Sequence, residues 1–148
     1  MLFESGAIVQ YIDEGCETLL PKDPRARARA IQWVIAALNS IEPFVMNVAV
    51  IDFIYTNEQW AKLRRQSAVE FVQRRLSALS KSLGDKPFLD GERFTAGDLI
   101  MCTVLQALSH TDIVSSDARL AAYVERCKAR PAFKRALEAQ LSDYAKAA

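Results

Sequence analysis

The stretch Phe94-Thr95-Ala96-Gly97-Asp98-Leu99-Ile100-Met101-Cys102-Thr103-Val104-Leu105-Gln106-Ala107-Leu108 constrains the fold more than any other part of the chain. Thr95 and Asp98 stand at the N-cap and N3 positions of a capping box, with Asp in place of the usual Glu. Phe94 and Leu99 flank them as a hydrophobic staple. The residues that follow are apolar almost all round, which is the pattern of a helix running through the middle of a domain rather than along its surface. A buried helix start has no water for its amides, so the cap carries unusual weight. Everything else must wrap this segment.

The remaining periodicity is helical too. Ser5 to about Glu14 reads as a short helix with Ile8, Tyr11 and Ile12 on one face and Gly15 closing it. From Asp23, an N-cap with Pro24 behind it, Ile31, Val34, Leu38, Ile41, Val45 and Val48 recur at three and four, predicting one long amphipathic helix. Pro43 removes a backbone donor and clashes with the carbonyl four residues back, so the segment after Asn39 must bend or restart. Asn57 reads as the cap of a second long helix. Its stripe is Leu63, Val72, Leu76, Leu79 and Leu83, with Gly84 as the stop. Lys62, Arg64, Arg65, Arg74 and Arg75 read as its solvated face. Two more helices start at Asp117, carrying Leu120, Val124 and Cys127, and at Pro131, carrying Phe133, Leu137 and Leu141. With no β-rich segment or repeat, the expectation is an all-α bundle of about six helices.

Composition narrows the function classes. The 148 residues are 51% hydrophobic and 25% charged, enough for a real core. Nineteen Lys and Arg nearly balance eighteen Asp and Glu, so neither nucleic acid nor an anionic membrane is an expected partner. The expectation is a cytoplasmic protein, because the N-terminus lacks a secretory pattern and no uninterrupted apolar run reaches the roughly 20 residues of a span. Cys16, Cys102 and Cys127 are odd in number and widely spaced, which fits reduced structural thiols better than disulfides or a metal site. His110, the lone histidine, reads as a helix-terminal residue near last-turn carbonyls, with no serine or thiol constellation beside it.

Two stretches taken together say more. Glu4-Ser5-Gly6-Ala7-Ile8, then a long helical region, then Phe94-Thr95-Ala96-Gly97-Asp98, resembles the cytosolic glutathione transferase family. The resemblance continues through Ala121-Ala122-Tyr123-Val124-Glu125-Arg126 and Arg130-Pro131-Ala132-Phe133. It implies a glutathione transferase C-terminal-domain-like fold over 23–148, a linker at 16–22, and at 1–15 the last helix of a thioredoxin-like domain. By resemblance, Ser5 holds the γ-glutamyl carboxylate of glutathione and Glu4 assists at its amino group. A helix N-terminus suits that task, since it offers unpaired amides and a positive dipole end. Ser5 as a simple N-cap is compatible with both readings.

The resemblance further implies glutathione as co-substrate, no metal, a hydrophobic small molecule as second substrate, a detoxifying role and a homodimer. Asn39, Phe44, Asn47 and Tyr55, around and beyond the Pro43 bend, are the candidate lining of the electrophile pocket, with ordinary packing as the competing explanation. Some bacterial members place a histidine and a lysine on this helix near glutathione. Aligned on Trp33, those places hold Glu42 and Pro43 here, which leaves the subclass open. Most of a thioredoxin-like domain, with its sulfur-activating residue, is absent from the sequence. Three readings therefore stand: a glutathione transferase represented by its C-terminal part, a stand-alone helical interaction or hydrophobic-ligand module, and a reactive-thiol protein using Cys16 or Cys127.

Overall fold

The computed structural model describes residues 1–14 and 17–147. The helices are α1 (Ser5–Asp13), α2 (Pro24–Ile35), α3 (Glu42–Phe53), α4 (Gln59–Leu83), α5 (Ala96–Gln106), α6 (Ala118–Lys128) and α7 (Pro131–Ala147). A π-helical segment, Ala36–Ile41, joins α2 to α3 without a break, so the described residues form six rods. Among the described residues the only β-type pairing is one isolated bridge between Phe88 and Gly91.

The bend at Pro43 is realised as that π-turn. Without an amide at Pro43 the four-residue ladder cannot continue, and the Glu42 amide instead reaches five residues back to the Ala37 carbonyl. Val34, Ala37, Ile41, Val45 and Val48 stay buried through the change of register. The continuous helix Pro24–Phe53 is long and apolar enough by composition to cross a membrane, with an 18-residue stretch of mean hydropathy 1.7, which revises the expectation that no such run exists. Here it is the principal partner of α5 in the core.

α5 is central, as its all-round apolarity requires. Ile100, Met101, Cys102, Val104 and Leu105 are buried, and so are Thr95 and Asp98 at its start. The capping box forms, and its aspartate does more than cap. Asp98 Oδ2 accepts from the Thr95 amide at 2.8 Å and from Thr95 Oγ1 at 3.1 Å, while Oδ1 accepts from the Leu89 amide at 2.8 Å and Tyr123 Oη at 3.1 Å. Burial pushes the Asp98 carboxyl above its ordinary range, against the pull of these four donors. Gly97 lets α2 and α5 touch at backbone distance: a Cβ there would stand 2.3 Å from Trp33 Cβ and 3.3 Å from the Ala30 carbonyl.

Three local expectations are corrected. Tyr11 and Ile12 are 66% and 64% exposed, because α1 docks through Gly6 and Asp13 and not through its apolar-looking side. α4 starts at Gln59 with Glu58 as an N-cap that makes no side-chain bond, so Asn57 lies one residue outside the helix end and caps nothing. Leu63 is 77% exposed; the buried stripe of α4 runs through Ala61, Ala68, Val72, Leu76, Leu79 and Leu83. The Gly15 stop lies outside the described residues. Asp23 and Asp117 cap α2 and α6 as expected, accepting from Ala26 and from Arg119 and Leu120. Gly84 ends α4 at φ 57°.

Candidate functional site

Glu4 is the N-cap of α1 and Ser5 its first residue, both exposed. Glu4 adopts φ 69°, ψ 117°, a conformation that a non-glycine residue holds only when its surroundings impose it. The first intrahelical bond runs from the Ile8 amide to the Glu4 carbonyl at 2.9 Å, and no side chain caps the helix. The amides ahead of Ile8 are therefore left without a capping side chain at the positive end of the helix. That is an anion-receptive arrangement beside an exposed carboxylate and hydroxyl.

Two contacts fix this end of α1. Gly6 sits against α2 and the π-turn so closely that a Cβ would come within 2.9 Å of Leu38 Cδ1 and 3.2 Å of Val34 Cγ1. At the other end, the buried Asp13 carboxylate accepts from the Leu19 amide at 2.7 Å and the Leu20 amide at 2.6 Å. The Leu19 carbonyl in turn accepts from the Ala96 amide at 2.9 Å, where α5 begins. A chain of bonds thus runs from α1 through the connector to the capping box. Sequence reasoning missed Asp13. An acidic residue at a helix C-terminus, where the dipole disfavours it, was the available signal.

Glu4, Ser5 and Asn39 each lie within two residues of the Gly6–Leu38 contact, so the bend brings the first candidate pocket residue near the α1 end. The other three run away along α3. Phe44 is half-buried, stacked on Phe71 at 6.3 Å and covered by the Arg75 guanidinium at 4.7 Å. Asn47 is half-buried one turn on, and Tyr55, beyond the end of α3, leans on Trp60 at 5.0 Å. Tyr55 lines a shallow concavity of about 200 Å³ with Ile51, Asp52, Lys62 and Arg65.

His110 does not serve last-turn carbonyls. α5 ends at Gln106, and the turns that follow carry the ring to Asp52, where Nε2 meets Oδ2 at 3.0 Å and the imidazole packs on Phe53 at 4.3 Å. Arg65 grips the same carboxylate from α4, with Nε at 2.6 Å and Nη2 at 2.8 Å. The Arg65 hydrogen bond holds the Asp52 carboxyl below its ordinary range, with His110 contributing in the same direction. Arg65 stays exposed on the solvated face as expected while pairing with Asp52, and Arg74 and Arg75, also exposed, lie over Phe71 and Phe44. Cys102 and Cys127 are free and buried; Cys16 lies outside the described residues. The Cys127 thiol is pushed well above its usual range, chiefly by the neighbouring Cys102 thiol and then by burial, which opposes the reading of Cys127 as a reactive thiol activated on its own.

Residues 46–140 match the family model of the glutathione S-transferase C-terminal domain. A glutathione S-transferase F14 of Arabidopsis thaliana is 30% identical over 146 residues, an alignment covering 89% of this chain and 57% of that protein. The chain thus spans little more than half the length of that relative. A glutathione transferase from Burkholderia graminis, solved with two glutathione molecules bound per subunit, superposes with a TM-score of 0.85 at 25% identity, over 93% of this chain and 60% of the other. A family member from Pseudomonas fluorescens, also solved with two glutathiones, gives 0.84 at 27% identity over 93% and 63%. With that model matched over most of its helical core, the chain belongs to the glutathione S-transferase family.

Proposed function

We propose that this chain conjugates the glutathione thiol to hydrophobic electrophiles when combined with a thioredoxin-like domain, of which residues 1–15 are the last helix. The linker is 16–22 and the helical domain 23–148. The observation that carries the reading is the α1 start: an uncapped helix N-terminus with Glu4 held at φ 69° and the helix seated on Leu38 through Gly6. There the α1 amides and the Ser5 hydroxyl take the γ-glutamyl carboxylate, and Glu4 takes the amino group. The thiolate is the reacting form of glutathione, and its activation falls to the thioredoxin-like partner. Asn39, Phe44, Asn47 and Tyr55 line the electrophile side. The exposed Met46, Phe53, Ile54, Trp60 and Phe71 on and between α3 and α4 support a homodimer. A cytoplasmic, detoxifying role accords with this chemistry.

The test joins residues 1–148 to the preceding thioredoxin-like portion of the Burkholderia graminis relative and assays conjugation of a chlorinated nitroaromatic. Turnover saturable in glutathione is expected from the joined protein and not from the 148 residues alone. Robust turnover by the chain alone, or no glutathione binding by a folded joined protein, overturns the reading.

A further inference from the structure

Cys102 on α5 and Cys127 on α6 are both buried where the two helices pack, close enough for each thiol to shift the other's proton affinity. Both line the same cavity, of about 310 Å³, whose outer wall is α7. Phe94 and Leu99 on the α5 side and Phe133 and Leu137 on α7 make its lining apolar, and the Arg130 guanidinium lies over Phe94 at 3.5 Å. Gln106 Nε2 donates to Cys102 Sγ at 3.9 Å. No residue of α1 and none of the candidate pocket residues lines this cavity, so the dithiol stands apart from the proposed transferase site. Two buried thiols on the wall of one chamber, roomy enough for water-sized molecules, are placed to react as a pair and not singly.

We propose that Cys102 and Cys127 form a dithiol modification site that hydrogen peroxide, entering through the α5–α7 cavity, converts to a disulfide tying α5 to α6. The roles are unequal. The neighbouring Cys127, and less so the Lys128 charge, lowers the Cys102 thiol while Cys127 is pushed up, so Cys102 is the first nucleophile. Its thiolate attacks one peroxide oxygen: an S–O bond forms, the O–O bond breaks, and the departing hydroxide takes the proton Cys102 released, leaving as water. Cys127 sulfur then attacks the sulfenic sulfur: the S–S bond forms, the S–O bond breaks, and the hydroxide leaves with the Cys127 proton as a second water. Two thiols are oxidised by two electrons in all, and one peroxide is reduced to two waters.

The test treats the whole chain with limiting hydrogen peroxide and maps its peptides by mass spectrometry without reduction. Expected are a Cys102–Cys127 cross-linked peptide, loss of both thiols to Ellman titration in denaturant, their recovery with dithiothreitol, and an unchanged helical circular dichroism spectrum. In Cys127→Ser, dimedone should trap a sulfenic acid at Cys102; in Cys102→Ser, Cys127 should stay reduced under the same exposure. Both thiols surviving peroxide that consumes free glutathione, over-oxidation without the cross-link, or a bond to Cys16 or to a second chain overturns the proposal.

Discussion

Tyr123 Oη donates to Asp98 Oδ1 at 3.1 Å, so the only large polar side chain fully buried among the described core residues of α6 is spent on the cap of α5. The same oxygen accepts from the Leu89 amide, which makes one carboxylate the meeting point of α5, α6 and the loop before them.

Removing that carboxylate therefore strands four donors at once. Asp98→Ala is expected to cost about 3 kcal/mol or more, since each buried donor left unpaired carries a penalty of about 1–3 kcal/mol. Tyr123→Phe leaves no orphan as severe and should cost about 1 kcal/mol. Urea midpoints of the three proteins check the ordering, and coincident curves for Asp98→Ala and the parent would contradict the assigned role.

Gly97 and Gly6 make a second, graded comparison. Gly97→Ala drives a Cβ to 2.3 Å from Trp33 Cβ, against the stem of a residue on a packed helix, and should destabilise by about 3 kcal/mol. Gly6→Ala meets the mobile end of Leu38 at 2.9 Å and should cost about 1 kcal/mol, with hydrogen exchange in α1 rising first. Thermal midpoints and amide exchange distinguish the two.

The Asp52 cluster predicts an acid limb of stability. Its folded-state affinity for a proton is depressed by Arg65 and His110, so its contribution is present above the unfolded carboxyl value of 3.8 and is lost as pH falls through the lower folded value. Asp52→Asn should cost about 1 kcal/mol at pH 7 and flatten the stability profile at the acid end. Denaturant titrations at pH 7 and at successive acid steps read it directly; an unchanged slope for the variant would rule the cluster out as its source.

Ser5→Ala, in the protein joined to a thioredoxin-like half, should weaken glutathione binding by about 1–3 kcal/mol, the range for a hydrogen bond to a charged group. The rate in the bound state should change less, because the serine holds a remote carboxylate and not the sulfur. Calorimetry for affinity, with turnover at saturating glutathione, separates the two effects.

Much of the bundle was legible because its signals act over three or four residues. The Pro43 bend, the Asp23 and Asp117 caps, the Thr95–Asp98 box and the burial of α5 each follow from a residue and its near neighbours. The errors came where a local pattern competes with a distant surface. Tyr11, Ile12 and Leu63 satisfy a helical stripe yet stay exposed, since burial depends on what another segment places opposite them. At the candidate site, Glu4 and Ser5 could be named from their motif, whereas the backbone conformation and Gly6 contact that fix them could not.

The sequence by itself determined the helical class, the order of the rods, the place of the bend and the family motif, because periodicity, caps and proline chemistry are written in adjacent residues. Only the tertiary structure decided that His110 and Arg65 converge on Asp52, that Gly97 admits Trp33, that Asp13 ties the connector and that Cys102 and Cys127 line one cavity. His110 and Asp52 are 58 residues apart in the chain. Such meetings depend on the angle and register at which whole helices cross, and those are set by the sum of all side-chain volumes in the interface and not by any local run of residues.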